Sequence, residues 1–387
     1  MMDMTMFEQG VERENTGCFK WDAREKVFGK ADVLPMWVAD MDFAAPECVI
    51  ASIIRRAQHG AFGYCISDPA ETDALIGWMK RRHGVDVEPM NVFYTPGVVD
   101  SLNIAVAALG KPGEKAAVLT PVYGPFYRAV EKAEMRVEKC SLLQTEEGWR
   151  IDFAALEHIF KSGAKLMLLC NPHNPVGRVW TRGELEQLAE LARKYGVTII
   201  SDEIHADLTM PGYETTSILA VEKKAVALVS ATKTFNLAAL KHSSVLIPDE
   251  EMMSKFVAEY YQRGINGINL FGSLAQRAAY EGGEEWLDAL REYLAGTRDM
   301  VEKFLSEELP QVKCSHLEGT YLMWLDFRSL SLPQDELEKL MIEKAGIGMN
   351  SGTDFGAEGA GFMRMNIATP RKNVERALRQ LKAALCE

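Results

Sequence analysis

The chain is short of what a membrane-spanning or disulfide-bonded protein needs. No apolar run approaches the ~20 residues that cross a bilayer as a helix. There are seven cysteines, an odd number, and no Cys-x-x-Cys pair. That pattern argues against a disulfide framework or a zinc site and predicts reduced thiols in a cytoplasm. The seven histidines are scattered without paired-ligand spacing, so no metal is expected. Basic charge is in deficit: Lys and Arg total 43 against 55 Asp and Glu, a net charge of −12. Nucleic acid and anionic membrane surfaces both call for basic patches, so neither is an expected partner. The first residues, Met1-Met-Asp-Met-Thr-Met-Phe-Glu8, are interrupted by acids and lack the basic-then-apolar layout of a signal peptide. Internal repeats, low-complexity tracts and long Pro/Ser linkers are also missing.

At 387 residues, 47% hydrophobic and 25% charged, the chain has ordinary globular composition and length enough for two domains. Short apolar runs alternate with helical patterns between about Asn91 and Pro248. Candidate strands are Asn91–Tyr94, Ala116–Leu119, Lys165–Cys170, Val197–Ser201, Ala225–Val229 and Ser244–Ile247. Amphipathic stretches lie between several of them, such as Gly183–Tyr195 with Leu185, Leu188, Leu191 and Ala192 on one face. The alternation predicts an α/β, doubly wound, mostly parallel sheet, whose ligands gather at the carboxyl ends of strands. After about residue 285 a long helix (roughly Ser273–Leu305), a strand over Thr320–Phe327, a helix over Gln334–Ala345, a strand over Phe362–Ile367 and a terminal helix over Lys372–Leu385 predict a smaller α+β domain. The first ~45 residues are expected to complete it. The boundaries are then 46–285 for the large domain and 1–45 with 286–387 for the small one.

The chemistry-bearing residues follow the candidate strands in turn: Gly97, Tyr123, Asn174, Asp202 and Lys233. Lys233, in Ser230-Ala-Thr-Lys-Thr-Phe-Asn236, could be a solvated loop residue. Losing water at a strand end would instead depress its pKa and free the amine to form a Schiff base with pyridoxal phosphate. Asn171-Pro-His-Asn-Pro-Val-Gly177 is either a plain tight loop or a rigid platform from which Asn174 bonds the phenolic oxygen of a pyridine ring. Asp202, in Ser201-Asp-Glu-Ile-His205, either caps a helix or pairs with a pyridinium nitrogen, since a buried aspartate needs a partner. His205 could reach the phenolic oxygen or be a satisfied structural histidine. Thr95-Pro-Gly97-Val-Val-Asp100 opens a helix over Val98–Leu109, where the free N–H groups of Gly97, Val98 and Val99 suit a phosphate. Ser230 and Lys241 would add a hydroxyl and a charge. Tyr123 either stacks on the cofactor ring or belongs to the core.

In this order, the glycine turn, Asn-Pro-x-Asn-Pro-x-Gly, Ser-Asp-Glu-Ile and Ser-x-[Ser/Thr]-Lys resemble the fold-type I pyridoxal-phosphate enzymes of the class I/II aminotransferase superfamily. Pro35-Met-Trp-Val-Ala-Asp-Met-Asp-Phe43, Lys20-Trp21, His205, Gly319–Phe327 and Gly361–Ala368 narrow the likeness to cystathionine β-lyases of the MalY/PatB type, also called C–S lyases. The resemblance covers almost the whole chain. It implies a large domain with a mostly parallel seven-stranded sheet, pyridoxal 5'-phosphate as cofactor, a sulfur amino acid as substrate, a homodimer and a cytoplasmic enzyme. It also implies that Lys233 holds the cofactor and removes the Cα proton. Asp202 and Asn174 would be the ring's partners, with Asn174 also near substrate, and Tyr123 its stacking partner. Arg364 would clamp the substrate carboxylate, and Ala39 would offer a backbone contact. Tyr64 would cross a dimer interface to the neighbour's phosphate, and either Tyr64 or Tyr123 could protonate the leaving sulfur. Two positions depart from the family pattern: Ala239 replaces the usual glycine, and Lys241 stands where many relatives carry arginine, a point charge in place of a fork. The implied reaction is α,β-elimination of a Cβ–S bond. The alternatives are an aminotransferase with the same site and a cofactor-holding protein that binds a regulatory partner.

Overall fold

All six predicted strands are present within one residue of their sequence positions in the computed structural model, which describes residues 4–386. The large sheet consists of β1 (Val92–Thr95), β2 (Lys115–Thr120), β3 (Arg136–Ser141), β4 (Ala164–Cys170), β5 (Thr198–Asp202), β6 (Val226–Val229) and β7 (Ser243–Leu246). Their spatial order is β1-β7-β6-β5-β4-β2-β3. Only β7 runs antiparallel to its neighbours; the other pairs are parallel.

Side-chain alternation sorts each strand onto two buried faces. Val118, Leu166, Leu168 and Leu228 pack with Val98, Leu102 and Phe256 on one side of the sheet. Ala117, Leu119, Met167, Leu169 and Ala227 pack with Leu185, Leu188 and Trp180 on the other. Burial on both faces is why these strands read as unbroken apolar runs. The helix Arg182–Tyr195 starts with a capping box, in which Thr181 accepts from the Glu184 N–H and Glu184 accepts from the Thr181 N–H. It stops at Gly196 in the left-handed region (φ 65°).

Beyond the large sheet, β8 (Lys313–Cys314), β9 (Leu322–Asp326), β10 (Asn350–Ser351) and β11 (Phe362–Asn366) form an antiparallel sheet ordered β8-β9-β11-β10. A short parallel pairing joins Leu34–Pro35 to Ile347–Gly348. Two expected helices differ in detail. The single helix expected over Ser273–Leu305 is two, Leu270–Gly282 and Glu284–Glu308, parted at Gly283. A Cβ there would lie 2.6 Å from both the Ala279 carbonyl oxygen and the Phe235 ring, so only glycine lets the chain pass that close. The helix expected over Gln334–Ala345 is regular through Gln334–Lys339 and then widens into a π-type turn over Leu340–Lys344. Among the described residues no helix is long and apolar enough to cross a membrane, and no group of three or more His, Cys, Asp or Glu is arranged to hold a metal.

Candidate active site

Parallel register brings the strand ends together. Cys170 pairs with Asp202, and Asp202 with Leu228, so the loops after β4, β5 and β6 open side by side. Asn174, Asp202 and His205 are 5%, 7% and 4% exposed, so polar groups are buried where a core would carry aliphatics. The Asp202 carboxylate accepts one hydrogen bond, from the Ile204 N–H at 3.1 Å, and has no ion-pair partner among the described residues. Burial lifts it to about 7, while Lys233 pulls the other way. Lys233 lies in the short helix Ala231–Thr234 after β6 and donates to the Ala39 carbonyl at 2.5 Å. Burial draws its ammonium down to about 8; nearby Asp40 opposes this and Arg364 assists it. An amine in that range is deprotonated in a useful fraction near neutral pH.

Arg364 comes from β11, on the opposite wall. It is 4% exposed, and burial brings it down to about 10. Its Nη1 donates to Asn174 Oδ1 at 3.0 Å, and its Nη2 donates to the Trp37 carbonyl at 3.0 Å and to Asn350 Oδ1 at 2.6 Å. Its plane lies 4.8 Å over the Phe355 ring. Among the described residues the Nε has no partner. The fork is therefore held on several sides, in the manner of a carboxylate receptor.

His205 is a buried imidazole whose Nδ1 has no partner among the described residues, edge-on to Tyr321 at 6.0 Å. Burial holds its pKa well below the ordinary value, and the charges of Lys233 and Arg364 push the same way. The Tyr321 hydroxyl donates to the Ala39 carbonyl at 3.0 Å, so Ala39 receives both Tyr321 and Lys233. The backbone contact made by Ala39 here is thus a carbonyl facing the lysine.

Gly97 precedes the helix Val98–Leu109 with extended backbone (φ 174°). The N–H groups of Val98 and Val99, in the first turn, have no intrahelical acceptor. Ser230 is more heavily engaged than its sequence position implied. Its hydroxyl donates to the His242 carbonyl at 2.7 Å and caps the Thr232 N–H at 3.1 Å. With that proton used, the 2.7 Å contact to Thr232 Oγ1 has Thr232 as donor. Lys241 itself occupies the left-handed region (φ 44°), so the backbone freedom that Ala239 lacks is needed two residues later. It borders a cavity of about 720 Å³ with Tyr94, Thr95 and His242. Tyr123 is 39% exposed at the start of the helix Pro125–Lys132. Tyr64 projects fully into solvent and lies outside this cluster within one chain.

Tyr321, Asn350 and Thr232 are site neighbours that the sequence reading did not single out. Thr232 had a signal, being a hydroxyl directly before the lysine. Tyr321 lay within the Gly319–Phe327 stretch that carries the family likeness, and Asn350 had no signal, because it reaches the site only through the pairing of β10 with β11.

The model of the aminotransferase class I and II family matches residues 31–381. Cystathionine beta-lyase PatB of Bacillus subtilis is 41% identical over 384 residues, covering 98% of this chain and 99% of that one. Cystalysin of Treponema denticola, solved with pyridoxal 5'-phosphate, superposes with a TM-score of 0.95 at 32% identity over 98% of each chain. The PLP-bound C-S lyase of Staphylococcus hominis gives a TM-score of 0.92 at 30% identity, again over 98% of each chain. With the strand order, the buried Lys233–Asp202–Asn174–Arg364 cluster and a match over nearly its full length, the chain belongs to the aminotransferase class I and II family.

Proposed function

We propose that this protein is a pyridoxal-phosphate-dependent carbon–sulfur lyase that cleaves the Cβ–S bond of L-cystathionine or a related cysteine S-conjugate. The observation that carries the reading is a buried lysine and a buried unpaired aspartate opposite a multiply held arginine, in a chain 41% identical end to end to a cystathionine β-lyase.

The residues fit the cofactor. A carboxylate as buried as Asp202 with no ion-pair partner among the described residues calls for one, and a protonated ring nitrogen is such a cation. Asn174 keeps its amide N–H₂ available for an oxygen acceptor, since its Oδ1 is the atom that faces Arg364. The helix start at Gly97, Val98 and Val99, with Lys241, offers donors for a phosphate, whereas the Ser230 and Thr232 hydroxyl protons are taken by the His242 carbonyl and by Ser230 Oγ. When bound, the cofactor supplies a covalent handle for the substrate's amine and an electron sink for the Cα carbanion.

The chain's own groups do the rest. Arg364 binds the α-carboxylate and orients the Cα–H bond toward Lys233. The Lys233 amine takes the Cα proton, and the Cβ–S bond breaks with the electron pair leaving on sulfur. Tyr123, or Tyr64 of a second copy, would return a proton to the thiolate. The remaining enamine hydrolyses to pyruvate and ammonia; with cystathionine the thiol is homocysteine.

A homodimer is part of the proposal. Phe62, Tyr64 and Ile66 are 59%, 111% and 90% exposed, an apolar run that a second copy would cover. A cofactor-binding unit over 46–285 and a smaller unit over 1–45 and 286–387 are supported by the pairing of Leu34–Pro35 with Ile347–Gly348. A cytoplasmic location is supported by seven free thiols.

The test is to incubate the purified protein with L-cystathionine and no keto acid, measuring pyruvate and thiol together, with Lys233→Ala as control. Equal amounts of both, absent in the variant, are expected. Turnover only after a keto acid is added would make the protein an aminotransferase instead.

A further inference from the structure

The loop from Trp37 to Phe43 carries neither the lysine nor the arginine, yet it touches both. Its carbonyls at Trp37 and Ala39 accept from Arg364 and Lys233 respectively. Two asparagines grip it from the strand side. Asn236, three residues after Lys233, donates to the carbonyls of Met41 (2.9 Å) and Phe43 (2.8 Å) and accepts from the Met41 N–H (3.0 Å). Asn366 lies two residues after Arg364 on β11, hence on the same face of the strand. It donates to the carbonyls of Val38 (2.5 Å) and Asp40 (2.7 Å), and its own oxygen accepts from the Ala368 N–H (2.7 Å). From the outer side, Arg13 and Lys20 bond Asp40 and Asp42 of the same loop.

We propose that Asn236 and Asn366 are positioning residues that make this loop a strut held at both ends. Asn366, whose two bonds flank Ala39 and adjoin Trp37, aligns both receiving carbonyls, and Asn236 ties the far end of the loop, Met41 to Phe43, to the segment that carries Lys233. The inference rests on the roles proposed above for Lys233 and Arg364. Asn236 spends all three of its hydrogen bonds on loop backbone, and it does so from the left-handed region (φ 59°). A residue kept there for packing alone would more simply be glycine.

The two ends predict different defects. Asn236→Gly keeps the left-handed backbone and deletes only the side-chain bonds. Asn366→Ala deletes the grip beside the arginine. The first readout is the pH dependence with which cofactor-free protein captures pyridoxal phosphate, followed by visible absorbance. Its midpoint in the native protein should lie near 8, the value to which burial draws Lys233. In Asn236→Gly, water reaching a loosened lysine should move that midpoint upward by about one pH unit. The second readout is the L-alanine concentration that half-saturates the spectral change of the loaded protein. L-alanine has the amine and carboxylate of a substrate but no leaving group. Its binding should weaken about tenfold in Asn366→Ala, where the capture midpoint should rise as well because the grip on both sides of Ala39 is lost, and change less than about twofold in Asn236→Gly. Asn366→Ser, which retains one hydrogen-bonding group, should fall between native and Asn366→Ala. The proposal is overturned if both variants shift both quantities alike, if neither moves, or if all three variants fail to fold, since the loop would then serve stability alone. Neither readout needs a sulfur leaving group. A native protein that makes no pyruvate would therefore sink the proposed reaction without touching this result, and a failed split beside normal pyruvate formation would do the reverse.

Discussion

Two buried ionic clusters lie on opposite sides of the Trp37–Phe43 loop, and they are wired in opposite ways. In the outer one, every charge has a partner. Lys20, 0% exposed, bonds Asp42 at 2.9 Å; Arg13 bonds Asp40 at 2.8 Å and Asp42 at 3.2 Å; and the Trp21 Nε1 donates to Asp42 at 2.9 Å. Burial alone would raise Asp42, but the Lys20 charge and the Trp21 and Lys20 hydrogen bonds outweigh it and hold the carboxyl below its ordinary value. In the inner cluster, Asp202 is raised, and Lys233, Arg364 and His205 are lowered, each mainly by burial. The outer cluster's charges are paired within the chain. The inner one is left short of partners, which is the signature of a site built for something that arrives later.

The contrast is sharpest when activity and stability are measured on the same variants. Lys233→Ala should cut pyruvate formation from cystathionine by more than about a thousandfold. The cofactor-free protein should unfold in urea at the same or a higher midpoint, because a poorly compensated buried charge has been removed. Asp42→Ala should do the opposite. It leaves Lys20 buried with only the more distant Asp40 carboxylate, 3.9 Å away, lowering stability by about 3 kcal/mol, read from the same urea curves. Equal stability losses in the two variants would erase the distinction.

Acid should separate the clusters as well. Folded Asp202 titrates near 7 against an ordinary value of 3.8, so in the cofactor-free protein the folded state keeps a proton that the unfolded state has lost. Its contribution therefore makes stability fall as pH rises through that window, by a few kcal/mol. Lys233, lowered from 10.5 to about 8, makes stability rise again between those two values. Asp42 works in the other direction: its contribution is present above 3.8 and lost as pH falls through its depressed folded value. Urea midpoints against pH for native protein and Asp202→Asn isolate the first component, which should vanish in the variant. The smallest effect is expected at the rim. Asn350→Ala removes one of the acceptors that hold Arg364, so KM should rise about three- to tenfold with kcat nearly unchanged.

The large sheet was legible because five of its strands are buried on both faces and the half-buried β1 still reads as a short apolar and aromatic run. The seventh, β3, was not. It pairs only with β2 at the sheet edge and reads Arg136-Val-Glu-Lys-Cys-Ser141, mostly exposed, with no apolar run to find. Of the proposed cluster, Lys233, Asp202 and Asn174 could be placed because each closely follows a strand. Arg364 sits inside one, and only family likeness picked it out. Asn236, Asn350 and Asn366 carried no local signal. An asparagine gripping a loop 195 residues away looks, in sequence, like any other turn or strand residue.

The pairing of Leu34–Pro35 with Ile347–Gly348 has a consequence for how the protein is made. The early strand emerges from the ribosome about 300 residues before its partner does. At ordinary synthesis rates of about 5–20 residues per second, it waits roughly 15–60 s with nothing to pair with. Phe43, Met36 and Met41, all 1% exposed or less in the finished molecule, wait alongside it. The nascent chain thus has a long interval in which its first segment depends on chaperones, or on transient contacts of its own, until its last hundred residues arrive.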